Sequence, residues 1–152
     1  MLLAAVELDL FTAVGQGCSA QETAARLGTN ARATEALLNA LVAVGALIKK
    51  SGVFQNPPET ARYLTASSPD NQRPSLMHTV NVWKAWITLT DCVRKGTAVS
   101  PPGVEARDPQ WTESFLAAMP SNAETAAGPV VREVGTEGVR RLLEVGGGSG
   151  AY

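Results

Sequence analysis

The segment from Ser19 to Gln55 leaves this chain few choices of fold, because it sets helix starts, helix stops and a tight turn at fixed offsets. Ser19-Ala20-Gln21-Glu22 has the form of a capping box, in which the serine hydroxyl and the glutamate carboxylate satisfy each other's backbone N–H groups at a helix start. The helix it opens runs to Leu27 and is stopped by Gly28. Thr29 or Asn30 can cap a second helix running through Ala33, Leu37, Leu38, Leu41, Val42 and Val44 to Gly45. Apolar positions cover most of its circumference, so burial on more than one side is expected. Ala46-Leu47-Ile48-Lys49-Lys50 and Val53-Phe54-Gln55 then flank Ser51-Gly52, which predicts a two-stranded hairpin. Upstream, Leu3, Val6, Leu10, Phe11 and Val14 recur at helical spacing before Gly15 and Gly17, predicting an amphipathic helix over residues 2–14 with Glu7 and Asp9 on its polar side. Helices followed by a hairpin in this order form a winged helix.

Pro57 and Pro58 end the hairpin, and Glu59 to Leu64 can add one helical turn before the Ser67 to Asn71 loop. Pro74 opens a long helix whose apolar face is Leu76, Val80, Trp83 and Ile87, with Trp86, Leu89 and Val93 on an adjoining stripe. Arg94 and Lys95 suit its negative C-terminal end, and Gly96 stops it. Residues 97–107, with Pro101-Pro102-Gly103, read as a loop, after which Asp108-Pro109 places an N-cap before a proline at the first helical position. That helix is expected to end at Met119-Pro120. Ser121-Asn122-Ala123-Glu124 repeats the capping-box pattern, and Gly128-Pro129 must kink or split the helix so opened.

Composition narrows the class without identifying the chemistry. The 13 Lys+Arg and 14 Asp+Glu of the 152 residues nearly cancel, and the 18% charged fraction lies below the roughly 25% of ordinary soluble domains, so disordered, charged-tail and broadly nucleic-acid-coating classes are excluded. No run reaches about 18 apolar residues, and Glu7 and Asp9 interrupt the apolar start, which fits neither a membrane span nor a signal peptide. A cytoplasmic location and no membrane contact are the expectation. Cys18 and Cys92 are too few for a disulfide framework and lack the paired spacing of a zinc site, so they read as small apolar side chains, and no metal site is expected.

The chemistry-bearing signal lies at the end. Leu142-Leu143-Glu144-Val145 is a short apolar run with one acid, and it leads into Gly146-Gly147-Gly148-Ser149-Gly150. A strand running into such a loop binds nucleotides, because glycine permits tight turns and lets backbone N–H groups approach a ligand. Two cofactor readings fit. Gly146-x-Gly148-x-x-Ala151 satisfies a dinucleotide fingerprint, whereas E-x-G-x-G-x-G from Glu144 to Gly150 is the form associated with S-adenosylmethionine. A plain glycine-rich linker is the third.

The run from Leu142 to Tyr152 closely resembles the first cofactor motif of the S-adenosylmethionine-dependent, dimeric small-molecule O-methyltransferases. Ser75-Leu76-Met77-His78 followed by Trp83 or Trp86 and Gly96, and Phe115-Leu116-Ala117-Ala118-Met119, are similar to that family as well. The resemblance implies a mainly α chain: a winged-helix dimerisation domain over 1–66, a helical linker with acceptor-pocket helices over 67–138, and the start of a Rossmann-like α/β cofactor domain over 139–152. It implies that Gly146, Gly148 and Gly150 line the methionine and ribose side of S-adenosylmethionine, with Glu144 at the strand end orienting the loop. Phe115 and Met119 match linker-helix residues lining the acceptor pocket, with Trp83 and Trp86 as weaker candidates beside a plain core role. A homodimer through the N-terminal helices and a small hydroxylated aromatic acceptor are implied too.

No catalytic residue is expected within the chain. The family's general base is a histidine of the later catalytic domain, and His78, the only histidine, precedes the cofactor motif. The acidic residue about 20 positions beyond the glycine loop, which would hold the ribose, and the strands that would flank Leu142 to Val145 are likewise outside it. The expectation is an N-terminal portion of a methyltransferase, inactive by itself.

A winged helix also suggests a transcription regulator. Between Ser19 and Leu64 five basic residues face three acidic ones, and the would-be recognition helix carries only Arg32, Glu35, Asn30 and Asn39 on a largely apolar surface. DNA affinity comes mainly from phosphate neutralisation, so such a helix suits packing against another subunit better, with Lys49 and Lys50 the best argument for DNA. A stand-alone, non-catalytic dimerisation module is the remaining alternative.

Overall fold

The structure, a computed structural model, describes residues 1–99, 109–124, 126–135, 137–143, 145–147 and 150. The chain divides into two compact units, Met1–Val80 and Asn81–Tyr152. It is mainly helical, as the sequence predicts, with one two-stranded sheet among the described residues.

In the first unit the apolar start forms two helices, α1 (Leu2–Glu7) and α2 (Leu10–Val14), where the sequence predicts one. Asp9 takes a left-handed conformation at φ +56° between them, which breaks the helical ladder. Asp9 N–H still donates to Val6 O at 3.1 Å, and Arg73 adds bonds from far along the chain: its Nε donates to Val6 O at 2.9 Å and its Nη2 to Glu7 O at 3.3 Å. Its guanidinium also lies 3.2 Å from the Asp9 carboxylate. The break is therefore a tertiary effect, invisible in the local periodicity.

Downstream, the local signals act as read. The capping box forms in full at the start of α3 (Ala20–Leu27): Glu22 N–H donates to Ser19 Oγ at 3.2 Å, and Ser19 N–H donates to Glu22 Oε2 at 2.9 Å. Gly28 ends this helix at φ +63°. Asn30, rather than Thr29, caps α4 (Ala31–Ala43), accepting the Ala33 N–H at 3.1 Å. This helix buries Thr34, Leu38 and Leu41 and leaves its alanine-rich opposite side open, so burial on several sides is not met within one chain. β1 (Ile48–Lys50) and β2 (Val53–Gln55) pair antiparallel with Lys49 opposite Phe54. Ser51 and Gly52, both at positive φ, make the turn between them. Cys18 exchanges both backbone hydrogen bonds with Phe54, at 3.0 and 2.8 Å, adding a bridge on the far side of β2. That position explains why its thiol is buried.

α5 (Pro58–Leu64) supplies the expected extra turn. The core gathers Val6, Leu10, Phe11, Val14, Leu38, Leu41, Leu47, Phe54 and Val80, the last from α6 (Arg73–Trp86). Each such large side chain contributes roughly 1.5–3 kcal/mol by leaving water.

The long helix predicted from Pro74 to Gly96, which begins in the first unit and runs into the second, is also two, because α6 ends at Trp86 and α7 spans Leu89–Lys95. Thr88 sits at the break with its hydroxyl 2.8 Å from the Ala85 carbonyl and 3.1 Å from that of Val99. A threonine that bonds backbone oxygens in this way competes with the helical ladder. Gly96 stops α7 at φ +67°, as predicted. The expected apolar face is divided: Leu76 and Val80 pack in the core of the first unit, whereas Trp83 and Ile87, and Trp86 and Val93 on the adjoining stripe, stay exposed in the single chain.

α8 (Pro109–Glu124) passes through Pro120, where the sequence predicts an end, so Ser121 starts no new helix. The split falls later, before α9 (Ala127–Val134), which places Pro129 in the first turn, where a missing N–H removes no helical bond. The predicted loop over Pro101-Pro102-Gly103 and the Asp108 N-cap lie outside the described residues. The strand predicted at Leu142 to Val145 does not form at its described positions, and Leu143 and Val145 are each 88% exposed. A parallel-type strand needs neighbours to take its N–H and C=O groups, and among the described residues the only sheet is β1 with β2.

Candidate cofactor and acceptor site

The glycine loop shows why its residue type matters. Gly146 lies at φ +78° and Gly150 at φ +66°, conformations open to glycine and strained for other residues. The Gly150 N–H donates to the Gly147 carbonyl at 2.9 Å and closes a tight turn. A Cβ at either glycine would meet nothing within 4 Å, so the demand is conformational rather than steric. Successive backbone N–H groups in such turns form concavities for carboxylate and hydroxyl oxygens, which S-adenosylmethionine carries, so these residues fit that cofactor. Glu144 and Gly148 lie outside the described residues.

A second group stands on α8. Trp111 and Phe115, one turn apart, stack with centroids at 5.4 Å and planes 10° apart. Met119 comes one turn later, and all three side chains are half-buried while Ser114 and Ala118 beside them are buried. The i, i+4 spacing puts an indole, a phenyl ring and a thioether on one stripe, a surface suited to a flat apolar ligand. The sequence reading contains Phe115 and Met119 but not Trp111, although the same spacing was legible there. Ser114 is tied to α6: Asn81 Nδ2 donates to its Oγ at 2.9 Å, and that hydroxyl donates to the Trp111 carbonyl at 2.9 Å. Neither residue carried a sequence signal, because the bond depends on how α6 meets α8. Trp83 and Trp86 stand on α6, largely open, and His78 is half-buried on the same helix. Among the described residues no group of three His, Cys, Asp or Glu side chains can hold a metal. No helix there is long and apolar enough to cross a membrane.

Three of the five basic residues between Ser19 and Leu64 are engaged within the chain, while Arg32 and Lys50 are exposed. Lys49 Nζ donates to Asn39 Oδ1 at 2.9 Å, lies 3.6 Å from Glu35 and stands 4.6 Å over the Phe54 ring. Arg26 donates to the Ala13 carbonyl at 2.6 Å. Arg62 bonds the Asp70 carboxylate at 2.6 Å, which raises the guanidinium pKa further.

Residues 1–66 match the family described as O-methyltransferase dimerisation domain. The chain is 34% identical, over 99% of its own length, to 3-hydroxy-5-methyl-1-naphthoate 3-O-methyltransferase of Streptomyces sahachiroi. It spans 45% of that enzyme, so about half the length of this curated relative has no counterpart in the alignment. Among solved structures, an O-methyltransferase family protein from Burkholderia thailandensis superposes with a TM-score of 0.70 at 31% identity, covering 89% of this chain and 41% of that one. PigF, solved with SAH, superposes with a TM-score of 0.69 at 26% identity, covering 87% and 43%.

Proposed function

Because the chain belongs to the S-adenosylmethionine-dependent small-molecule O-methyltransferases, matching their N-terminal part, we propose that the protein transfers a methyl group to a phenolic hydroxyl of a small aromatic acceptor. The observation that carries this reading is the 34% identity, across nearly all of the chain, to an enzyme named for methylating a hydroxynaphthoate. SAH is S-adenosylmethionine after loss of its methyl group, and its presence in the PigF structure supports the cofactor. When bound, S-adenosylmethionine supplies a methyl group activated by a sulfonium sulfur.

Within this reading residues 1–66 are the dimerisation domain, 67–138 a helical linker with the acceptor-pocket helices, and 139–152 the start of the cofactor domain. Gly146, Gly148 and Gly150 present backbone N–H groups to the cofactor's methionine and ribose side, and Glu144 orients the loop. Phe115 and Met119 hold the acceptor ring, with Trp83 and Trp86 in a lesser part. Their work is positioning and exclusion of water, which supplies much of the rate in a displacement that needs oxygen, methyl carbon and sulfur in line. No residue of the chain is assigned as the base, and His78 stays a helix residue.

The dimerisation-domain match supports a homodimer, built through the N-terminal helices, and the exposed Leu2, Leu8 and Val44 of that region suit such an assembly. The placement of Lys49 against Glu35 and Asn39 weakens the regulator alternative, because one of the wing's two lysines already has an anionic partner. No nucleic acid or membrane partner and a cytoplasmic location belong to the same reading. The 152-residue chain alone, with Leu143 and Val145 in solvent, is expected to be inactive and to bind the cofactor weakly.

Isothermal titration with S-adenosylmethionine tests the proposal. The intact enzyme should bind it and the isolated 152-residue chain should give no saturable heat in the micromolar range. Tight binding by the isolated chain sinks its dependence on further elements, and no binding by the intact enzyme sinks the cofactor assignment.

A further inference from the structure

The hydrogen-bonded chain from Asn81 through Ser114 to the Trp111 carbonyl does more than join two helices. Ser114 is buried, and its hydroxyl uses its one proton on Trp111 while accepting one from Asn81, so the link has a fixed direction. Phe115 is the next residue, and it stacks on Trp111. A helix held at Ser114 has the azimuth of the Trp111, Phe115 and Met119 stripe fixed with it. Side chains on a helix reach about 5–6 Å from its axis, so a 20° rotation carries their ends about 2 Å. A displacement of that size opens gaps against a bound ring, and the lost van der Waals contacts weaken its binding.

We propose that Asn81 and Ser114 are a positioning pair that fixes the rotation of α8 and thereby sets specificity for fused-ring over single-ring acceptors. The inference rests on the proposed reading of the α8 stripe as an acceptor wall. The ring carbons of a fused-ring acceptor span about one full turn of the stripe, so it must meet two of its side chains and depends on their azimuth, whereas a single ring spans about half a turn and tolerates rotation.

The test compares 2-naphthol and phenol as probe acceptors in the intact methyltransferase. N81A and S114A should each raise KM for 2-naphthol about tenfold, with kcat held within about twofold and a smaller change for phenol. The double variant should be no worse than the worse single variant, and S114T, which keeps the hydroxyl, should recover most of the loss. A merely structural role lowers the folded amount and leaves KM per folded enzyme unchanged. Unchanged KM in both single variants, or fully additive losses, overturns the proposal. If the enzyme methylates neither probe, the acceptor reading fails on its own terms, and the pair is judged on Trp111. In a W83F/W86F background, S114A should then increase acrylamide quenching of the remaining tryptophan, and unchanged quenching overturns the pairing.

Discussion

Replacing Arg73 with methionine isolates the contact that divides the first apolar helix. The variant keeps the aliphatic stem and removes the guanidinium, and with it the 2.9 Å bond to Val6 O and the 3.3 Å bond to Glu7 O. Hydrogen bonds from charged donors are worth about 1.5–3 kcal/mol each, the longer one less, while a partly exposed ion pair adds at most about 1 kcal/mol. R73M should therefore cost roughly 2–3 kcal/mol. For a unit of this size that corresponds to a fall in Tm of about 10–20 °C, read by far-UV circular dichroism on the 152-residue chain. D9N is the control. Arg73 Nε has one proton and gives it to Val6, so the Asp9 carboxylate contributes proximity of charge rather than a hydrogen bond. Asparagine also tolerates the left-handed conformation at position 9. D9N should thus cost less than about 1 kcal/mol. Stability of R73M within about 0.5 kcal/mol of the parent, or an equal loss in D9N, refutes the claim that the two carbonyl bonds hold the break.

Named contacts set three further outcomes. Asn56 Nδ2 donates to Phe11 O at 2.9 Å and Gly15 O at 3.0 Å around the end of α2, so N56A should lose about 1–3 kcal/mol in urea titration, and a loss below about 0.5 kcal/mol contradicts that role. The Ser19 hydroxyl and backbone hold the Glu22 carboxyl below its ordinary pKa of 4.5; its stabilising effect is present above that value and lost as pH falls through the lower folded-state value. E22Q keeps the box without the charge, so its stability gap from the parent should shrink below pH 4.5, and a constant gap from pH 7 to acid contradicts the assignment. In the intact enzyme G146A forces a side chain into positive φ at a strain of about 1–2 kcal/mol, which should weaken S-adenosylmethionine binding about tenfold by calorimetry; unchanged affinity removes Gly146 from the loop that holds the cofactor.

What the sequence disclosed divides along the range of the interactions. Ser19 with Glu22, Asn30 with Ala33, and Ser51-Gly52 act within a few residues, and each was legible. The division of α1 from α2 was not, because Arg73 lies more than sixty residues from the carbonyls it takes. Likewise Thr88 ends α6 by reaching the carbonyl of Val99 as well as its own turn. Pro120 reads as a stop by local rules, yet α8 continues through it to Glu124. In the site, the need for glycine at 146 and 150 was legible in the motif, and the family resemblance was legible over most of the chain. The ordering of α8 by Asn81 and Ser114 was hidden, since it exists only once two helices meet. The strand over Leu142 to Val145 is the converse case: its pattern is local, but its hydrogen bonds require neighbours that the described residues do not supply.

The central claim is methyl transfer to oxygen, and the most direct measurement tracks a labelled methyl group. The intact enzyme is incubated with S-adenosylmethionine deuterated in its methyl group and with 2-naphthol, and the products are resolved by mass spectrometry. The account predicts a naphthyl methyl ether carrying the label, formed in equal amount with S-adenosylhomocysteine. Absence of labelled ether with this and other hydroxylated aromatics, together with salt-sensitive binding to duplex DNA, contradicts it and favours the regulator.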